Sequence, residues 1–498
     1  MFIKLVKIPK KNTHYVQVVE SYRDENQIPR HRVLYSYGIL EEIQKERPNF
    51  LEELKENLKT DFIDFKLDLL KEHTNTMENY GYIIIDKLLR ELSLDKIITH
   101  YCKDNDAAYQ SLLQVLIFRI LQTNLKNPLD KLFNFNIKNP SIIKEDLQKI
   151  MSYQEEIIKD LYQINKSHID RSDVMCNVVD FYLEKDTNLT TPEIEHHVTL
   201  TLFSDILKQP LYYSIKAHLE MRDNTDYKEV IEIARTTLNL DDITLVAKKE
   251  GVNSPLIEVK FAQNNYYIMG SLIKNAEHPY SSIANDKASF KSLPSKGISY
   301  KLVTLLRDVF VETKSGKIFK KTLNEKVLLL FFTDEGYELN KALSFLLEEN
   351  LNIDLENYLF ISAKNEVHKG LTFYSISTND LDLSFYDIIN KYLYLQQVKH
   401  DFSEHFDEEI NSVALNFFLN YLVNMFNTTI VRLSDYKYSL KNIYESLKLA
   451  KLIKIRSDLV MITYLDPLLK ILLSKWEIEL TKQYYRSEKL RRIFKSIS

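Results

Sequence analysis

The chain has 498 residues, of which 45% are hydrophobic and 27% charged, with a net charge of −4. That length exceeds what one hydrophobic core organises and predicts about two to four structural units. The small negative charge excludes a protein that coats DNA uniformly, while leaving room for a local basic face. The two cysteines, Cys102 and Cys176, lie far apart in apolar surroundings. They make neither a disulfide framework nor a zinc site, and point to a reduced, cytoplasmic protein. The opening MFIKLVKIPKK has no long apolar core, and no run reaches the roughly 18 apolar residues of a membrane span. With 8 glycines, there is little material for phosphate-cradling loops. The Walker, dinucleotide and nucleophile-elbow patterns are all missing from the sequence.

Residues 14–39 alternate in the manner of a β-hairpin, with RDENQIPR as the loop. Arg23, Arg30, His31 and Arg32 gather there, as a solvated tip or as a phosphate contact. Residues 41–72 are charged and helical in pattern, broken at Pro48. Residues 80–165 show the spacing of core-facing helices, and KNPLDKLFNF starts another near Pro128.

The character changes near Ser172. VMCNVVDFYLEK is a strand, and HVTLTLFSDILKQPLYYSIKAHL holds two more around a turn. The helix DYKEVIEIARTTLNL follows, then the strands ITLVAKK and NNYYIMGSLI. His196 and His197 beside Glu193 and Glu195 lack a third metal partner and are a solvated loop. Residues 275–325 are polar and mixed, with SGKIFKKT as a basic turn. KVLLLFF is a strand, DEGYELNKALSFLLEENL a helix, and LTFYSIST a strand. From Ser384 onward, helices are predicted to the end, with Trp476 in the core on the last of them. The tail carries Lys482, Arg486, Lys489, Arg491, Arg492 and Lys495. That is a solvated face or a surface for a phosphate backbone.

Three pieces then resemble one family. YVQVVESYRDENQIPRHRVLYSYG resembles the opening of insertion-sequence transposases of the IS-four superfamily, in the branch named for insertion sequence sixteen-thirty-four. IIIDKLLRELSLDKII fits the region that follows. FYSISTNDLDLSFYDIINKYLYLQQV resembles the late segment, where a strand precedes a Tyr-bearing helix. The resemblance implies a mixed α/β protein: an RNase H-like core with an insertion. An N-terminal β-hairpin and helical subdomain would precede it, and C-terminal helices would follow. The expected boundaries are 1–45 for the hairpin region, 46–170 for a helical DNA-binding subdomain, 171–274 for the first part of the core, 275–325 for the insertion, 326–405 for the second part and 406–498 for the C-terminal helices.

Such transposases use two Asp and one Glu to grip two divalent metals for phosphodiester cleavage and strand transfer. The family's first motif, Tyr-Asp-Val-Thr-Thr-Phe-Tyr-Phe-Glu, aligns with Cys176 to Glu184, so its Asp falls on Asn177. The second motif, an apolar strand ending Ala-Asp-Arg-Gly, aligns with ITLVA and the residues after it, so its Asp falls on Lys248. In the third, a Tyr precedes the Glu by seven residues. Here Tyr392 precedes Lys399. An amide can offer one uncharged oxygen, but a protonated lysine repels a cation by about 4 kcal/mol per unit charge at about 4 Å. The expectation is a degenerate site that holds no metal and needs no cofactor. Asp180 is the fallback carboxylate, but on a strand it has the opposite parity from Asn177.

By resemblance, the partner is double-stranded DNA, read at terminal repeats, and the assembly a homodimer. The DNA contacts would be Arg23, Arg30, Arg32, Tyr392, Arg486, Arg491 and Arg492. Two alternatives stay open. One is an active DDE transposase with shifted carboxylates and Mg²⁺, and the other is an interaction module with no nucleic-acid role.

Overall fold

A computed structural model describes residues 2–8, 13–23, 29–57, 77–104, 106–121, 131–168, 173–183, 196–218, 227–249, 255–273, 277–286, 289–293, 297–312, 317–332, 337–339, 343–344, 346, 367–368, 372–403, 413–456, 459–463, 465–480 and 484–495. The chain opens with strands β1 (Phe2–Ile8), β2 (Thr13–Arg23) and β3 (Pro29–Ile39) and helices α1 (Leu40–Glu46) and α2 (Phe50–Asn57). Strand β4 (Met77–Asn79) leads into α3 (Tyr82–Glu91), α4 (Leu94–Cys102) and α5 (Ala107–Ile120). The short β5 (Lys131–Leu132) precedes α6 (Pro140–Met151) and α7 (Gln154–Asn165). Next come β6 (Met175–Leu183), β7 (His196–Ser204), β8 (Pro210–His218), α8 (Tyr227–Thr236), β9 (Thr244–Lys248), α9 (Pro255–Asn264) and β10 (Tyr266–Ile273).

Residues 281–378 hold α10 (Ser281–Ala284), β11 (Lys291–Leu293), β12 (Ile298–Glu312), β13 (Ile318–Phe332), β14 (Tyr337–Glu338), β15 (Val367–His368) and β16 (Thr372–Thr378). The last stretch is α11 (Phe385–Ser403), α12 (Val413–Leu433), α13 (Leu440–Leu449), β17 (Lys451–Arg456), β18 (Leu459–Ile462), α14 (Pro467–Ser474), β19 (Tyr484–Arg486) and α15 (Ser487–Lys495). Among the described residues, no helix is long and apolar enough to cross a membrane. Both cysteines are free and buried.

Two compact units form. One comprises 1–83, 126–136 and 446–498, and the other 84–125 and 137–445. In the first, β1, β2 and β3 make an antiparallel sheet in that order. The hairpin is where its alternation placed it, and FIKLVKI adds an edge strand. Val16 and Val18 bury one face against Leu40, Phe50 and Leu54, so α1 and α2 cover the sheet on either side of Pro48.

A second sheet of this unit has the order β19-β18-β17-β4-β5, and it corrects two expectations. Lys131 and Leu132 pair with β4 instead of starting a helix, and the C-terminal segment is not helical throughout. LAKLIKI leaves its helix at Ala450, because Leu452 and Ile453 fit a two-sided strand between β18 and β4. Trp476 sits in the turn after α14, not on the last helix. Gly81, just after β4, lies against Leu447 near the end of α13: a Cβ there would overlap the Leu447 carbonyl.

The second unit is built on a nine-stranded sheet of order β11-β12-β13-β16-β10-β9-β6-β7-β8. β6, β7 and β8 form an antiparallel meander, while β9 pairs parallel with β6 and β10 parallel with β9. Strands buried on both faces are near-continuous apolar runs. Hence Val174 to Val179 are all buried, Asn177 among them. The remaining strands extend the sheet antiparallel from β10 through β16 to β11. Helix α11 packs across β6, β9 and β10, and α12 across β8 and α5. Of the segment expected to be a helix after β13, residues 339, 343, 344 and 346 are helical, following the two-residue β14.

Candidate functional site

Strand pairing fixes which side chains share a face. Asn177 stands opposite Val246 and Val246 opposite Ile268, while Lys248 stands opposite Gly270. Val246 and Lys248 are two apart on one strand, so they point the same way. Gly270 identifies that side, because a Cβ there would overlap the Tyr392 phenol of α11. Only a residue without a side chain lets the helix approach this closely. The Tyr392 hydroxyl lies 2.6 Å from that of Tyr374 on β16. Asn177 and Lys248 therefore face α11, and Lys399 lies two turns beyond Tyr392 on that helix. A further tie holds the helix at the start of the strands: Lys391 pairs with Asp173, which also accepts from Thr244 Oγ1 at 3.3 Å.

Asn177 is fully buried, and neither of its amide atoms has a hydrogen-bond partner among the described residues. A buried amide left unmade costs about 1–3 kcal/mol. Lys248 and Lys399 are half-buried. Asp180 is elsewhere. β6 pairs with β7 without a register shift from Met175 to Leu183, so no bulge turns Asp180 toward the Asn177 face. Its carboxylate accepts from Thr199 Oγ1 at 2.8 Å, its partner across the strands. Asp241 and Asp242 are exposed at the opposite end of β9. Glu404, Asp407, Glu408 and Glu409 lie outside the described residues.

A two-metal centre does not fit this arrangement. The donor set would be one neutral amide and two lysines, and ammonium groups cannot ligate. Among the described residues, no group of three His, Cys, Asp or Glu side chains is placed to hold a metal ion.

The opposite face of the same sheet, toward β12 and β13, carries a feature that sequence reasoning missed. Glu325 of β13 receives Arg307 from β12 in a two-pronged contact, at 2.7 and 2.8 Å. The same guanidinium reaches Glu258 of α9 at 2.6 Å, and Glu258 pairs with Lys249 at 2.6 Å. Tyr280 donates to Glu325 at 2.9 Å, and Tyr267 also donates to it. Both carboxylates are buried. Burial raises the Glu325 carboxyl, but the hydrogen bonds and charge of Arg307 outweigh it and hold it below the usual carboxylate range. Its members are spread from Lys249 to Glu325, and no local spacing announces them.

The basic candidates fall in the first unit. Arg30 is exposed on β3, while the side chains of Arg23 and Arg32 lie outside the described residues. Helix α15 is two-sided. Leu490 is buried and Phe494 stacks on Tyr80 at 5.8 Å, whereas Arg486, Lys489, Arg491 and Arg492 face solvent. Arg492 is shared with Glu488 at 2.7 Å, one turn away. Tyr392 must be removed from the DNA-contacting set, because it is fully buried beneath its own helix. His196 and His197 begin β7 instead of forming a loop.

The N-terminal sheet and its covering helices, β1 to α2, form a part of the chain that matches a known family. Residues 3–62 match the family model described as the IS1634 family transposase, N-terminal domain. The resemblance to that branch is thereby borne out. No curated protein matches the chain. Among solved structures, a piggyBac transposase synaptic complex with hairpin DNA, determined by cryo-EM, aligns over 84% of this chain and 85% of its own. The identity is 8% and the TM-score 0.34, and a likeness that low carries no argument.

Proposed function

We propose that this chain is a transposase-like DNA-binding protein with an RNase H-like core that has lost phosphodiester cleavage. A meander of three antiparallel strands, joined on its first strand to two parallel ones, is the order of such a core. β8-β7-β6-β9-β10 runs in that order. The three carboxylate positions are then Asn177, Lys248 and Lys399. The observation that carries the reading is that Asn177 and Lys248 share the sheet face under the helix that bears Lys399. A site of this composition repels metal and attracts a phosphate backbone. The exposed Arg30, Arg486, Arg491 and Arg492 add backbone contacts that fix position without reading sequence.

The test is a pair of assays on the full chain. Duplex carrying the element's terminal repeats is expected to remain intact with Mg²⁺ or Mn²⁺. A gel shift on the same duplex is expected to weaken steeply with salt. Metal-dependent nicking that disappears in Asp180→Ala would sink the inactive reading. No shift at low salt would sink the DNA-binding one.

A further inference from the structure

The nine-stranded sheet ends in an edge that nothing among the described residues covers. β11 pairs with β12 only from Ile298 to Tyr300, yet β12 continues to Glu312. From Lys301 onward, β12 is paired on one side alone, by β13. Protein edges are normally blunted by Pro, bulges, very short strands or charged side chains; here Lys301, Arg307 and Asp308 are already paired within the chain, with Asp286, with Glu258 and Glu325, and with Lys320. This edge contains no Pro and pairs with β13 without a register shift. Its even-numbered residues face solvent: Leu302 is 39%, Leu306 72% and Phe310 62% exposed.

We propose that this edge pairs antiparallel with the same strand of a second copy of the chain, about a two-fold axis at Leu306. A two-fold axis perpendicular to the sheet keeps each face on its own side, so even residues oppose even and odd oppose odd. β11 closes the edge below Lys301. Pairing centred on Leu306 uses residues 301–311 of both copies, which is the stretch left open. Leu306 then meets its own counterpart, and Leu302 meets Phe310 twice over, making one apolar stripe across the seam. Thr304 meets Asp308, a hydroxyl against a carboxylate. The neighbouring registers toward the hairpin tip are worse. Centring on Arg307 opposes two guanidinium groups, and centring on Asp308 opposes two carboxylates, both destabilising directly across strands. Among these registers, charge and hydrophobic pattern select the same one. The proposal does not depend on the DNA-binding reading.

Sedimentation of the full chain at micromolar concentration is expected to show a dimer. Leu306→Cys is expected to crosslink to itself under mild oxidation, because directly opposed Cα atoms lie about 4.5–5.5 Å apart, within disulfide reach. Thr304→Cys opposes Asp308 and is expected not to crosslink; Cys102 and Cys176 are buried. Leu306→Lys and Leu306→Glu should each be monomeric with an unchanged far-UV circular-dichroism spectrum, and mixing the two should restore a dimer. A monomeric wild type, a dimer that survives Leu306→Lys, or equal crosslinking by Thr304→Cys would overturn the proposal.

Discussion

The two faces of one sheet treat charge in opposite ways. Under α11, a neutral amide at Asn177 is sealed in with no partner among the described residues. On the other face of the sheet, toward β13, Glu258 and Glu325 are also buried but are matched by Lys249 and Arg307. The first face presents Asn177 and Lys248 and, among the described residues, no group of carboxylates placed to hold a metal ion. The second has carboxylates that their own cations already occupy. A carboxylate count therefore says little about metal chemistry until each one's partner is known.

The contrast can be broken most forcefully at Arg307. Arg307→Ala leaves two buried carboxylates short of a cation, and a loss of about 3–5 kcal/mol is expected in denaturant unfolding. Because Glu325 is held below its ordinary range, its stabilisation is present above that range and fades as pH falls through the lowered value. Arg307→Ala should remove this acid limb. If Arg307→Ala unfolds with wild-type midpoint, the network contributes nothing.

The first face can be given the charge it lacks. The triple variant Asn177→Asp, Lys248→Asp, Lys399→Glu is expected to gain thermal stabilisation by Mn²⁺ that wild type does not show. The gain is about 2.7 kcal/mol at a hundredfold excess over the dissociation constant. Equal metal response in both proteins would show that the three positions do not converge.

Gly270→Ala comes next, since its Cβ overlaps the Tyr392 ring. Overpacking of this kind costs about 1–3 kcal/mol, read as a lower denaturation midpoint. Asn177→Leu should move the other way, stabilising by about 1 kcal/mol as an unsatisfied amide is replaced by a group of similar size. A destabilised Asn177→Leu would mean the amide has a role that packing does not supply.

The smallest effect is expected at Lys208, in the turn between β7 and β8, whose ammonium lies 5.4 Å over the Tyr394 ring and donates to Asn390 Oδ1 at 3.3 Å; desolvation there pushes it down to about 8. A lysine depressed on folding is stabilising only once neutral. Its contribution is complete above the ordinary lysine value, about 10.4, and is lost as pH falls through about 8. The melting temperature should therefore rise from pH 8 toward 10 in wild type and stay flatter in Lys208→Met.

Much of the sheet was legible. β6, β7, β8, β9, β10 and β16 stand where apolar runs and alternation placed them, because strands buried on both faces are written as such. The hairpin of β2 and β3 was legible for the same reason. β12 was not. Lys301, Arg307 and Asp308 interrupt its apolar residues, and a strand exposed on one face and ion-paired on the other resembles a polar loop. β17 and β18 were hidden by a helical pattern that continues through Leu449. Which side chains could share a site was legible only through alignment and parity. The Glu325 network was invisible, because its members meet only after the sheet has formed.

Lys248 and Lys249 are neighbours in sequence and opposites in space. The first belongs to the α11 side, and the second reaches Glu258 on the other. Strand geometry turns each successive side chain over, so a one-residue slip at this end would exchange them. Since both are lysine, each face would still carry one ammonium near this end of β9, one residue removed from its present place. A single lysine at either position would leave one face without a cation after such a slip.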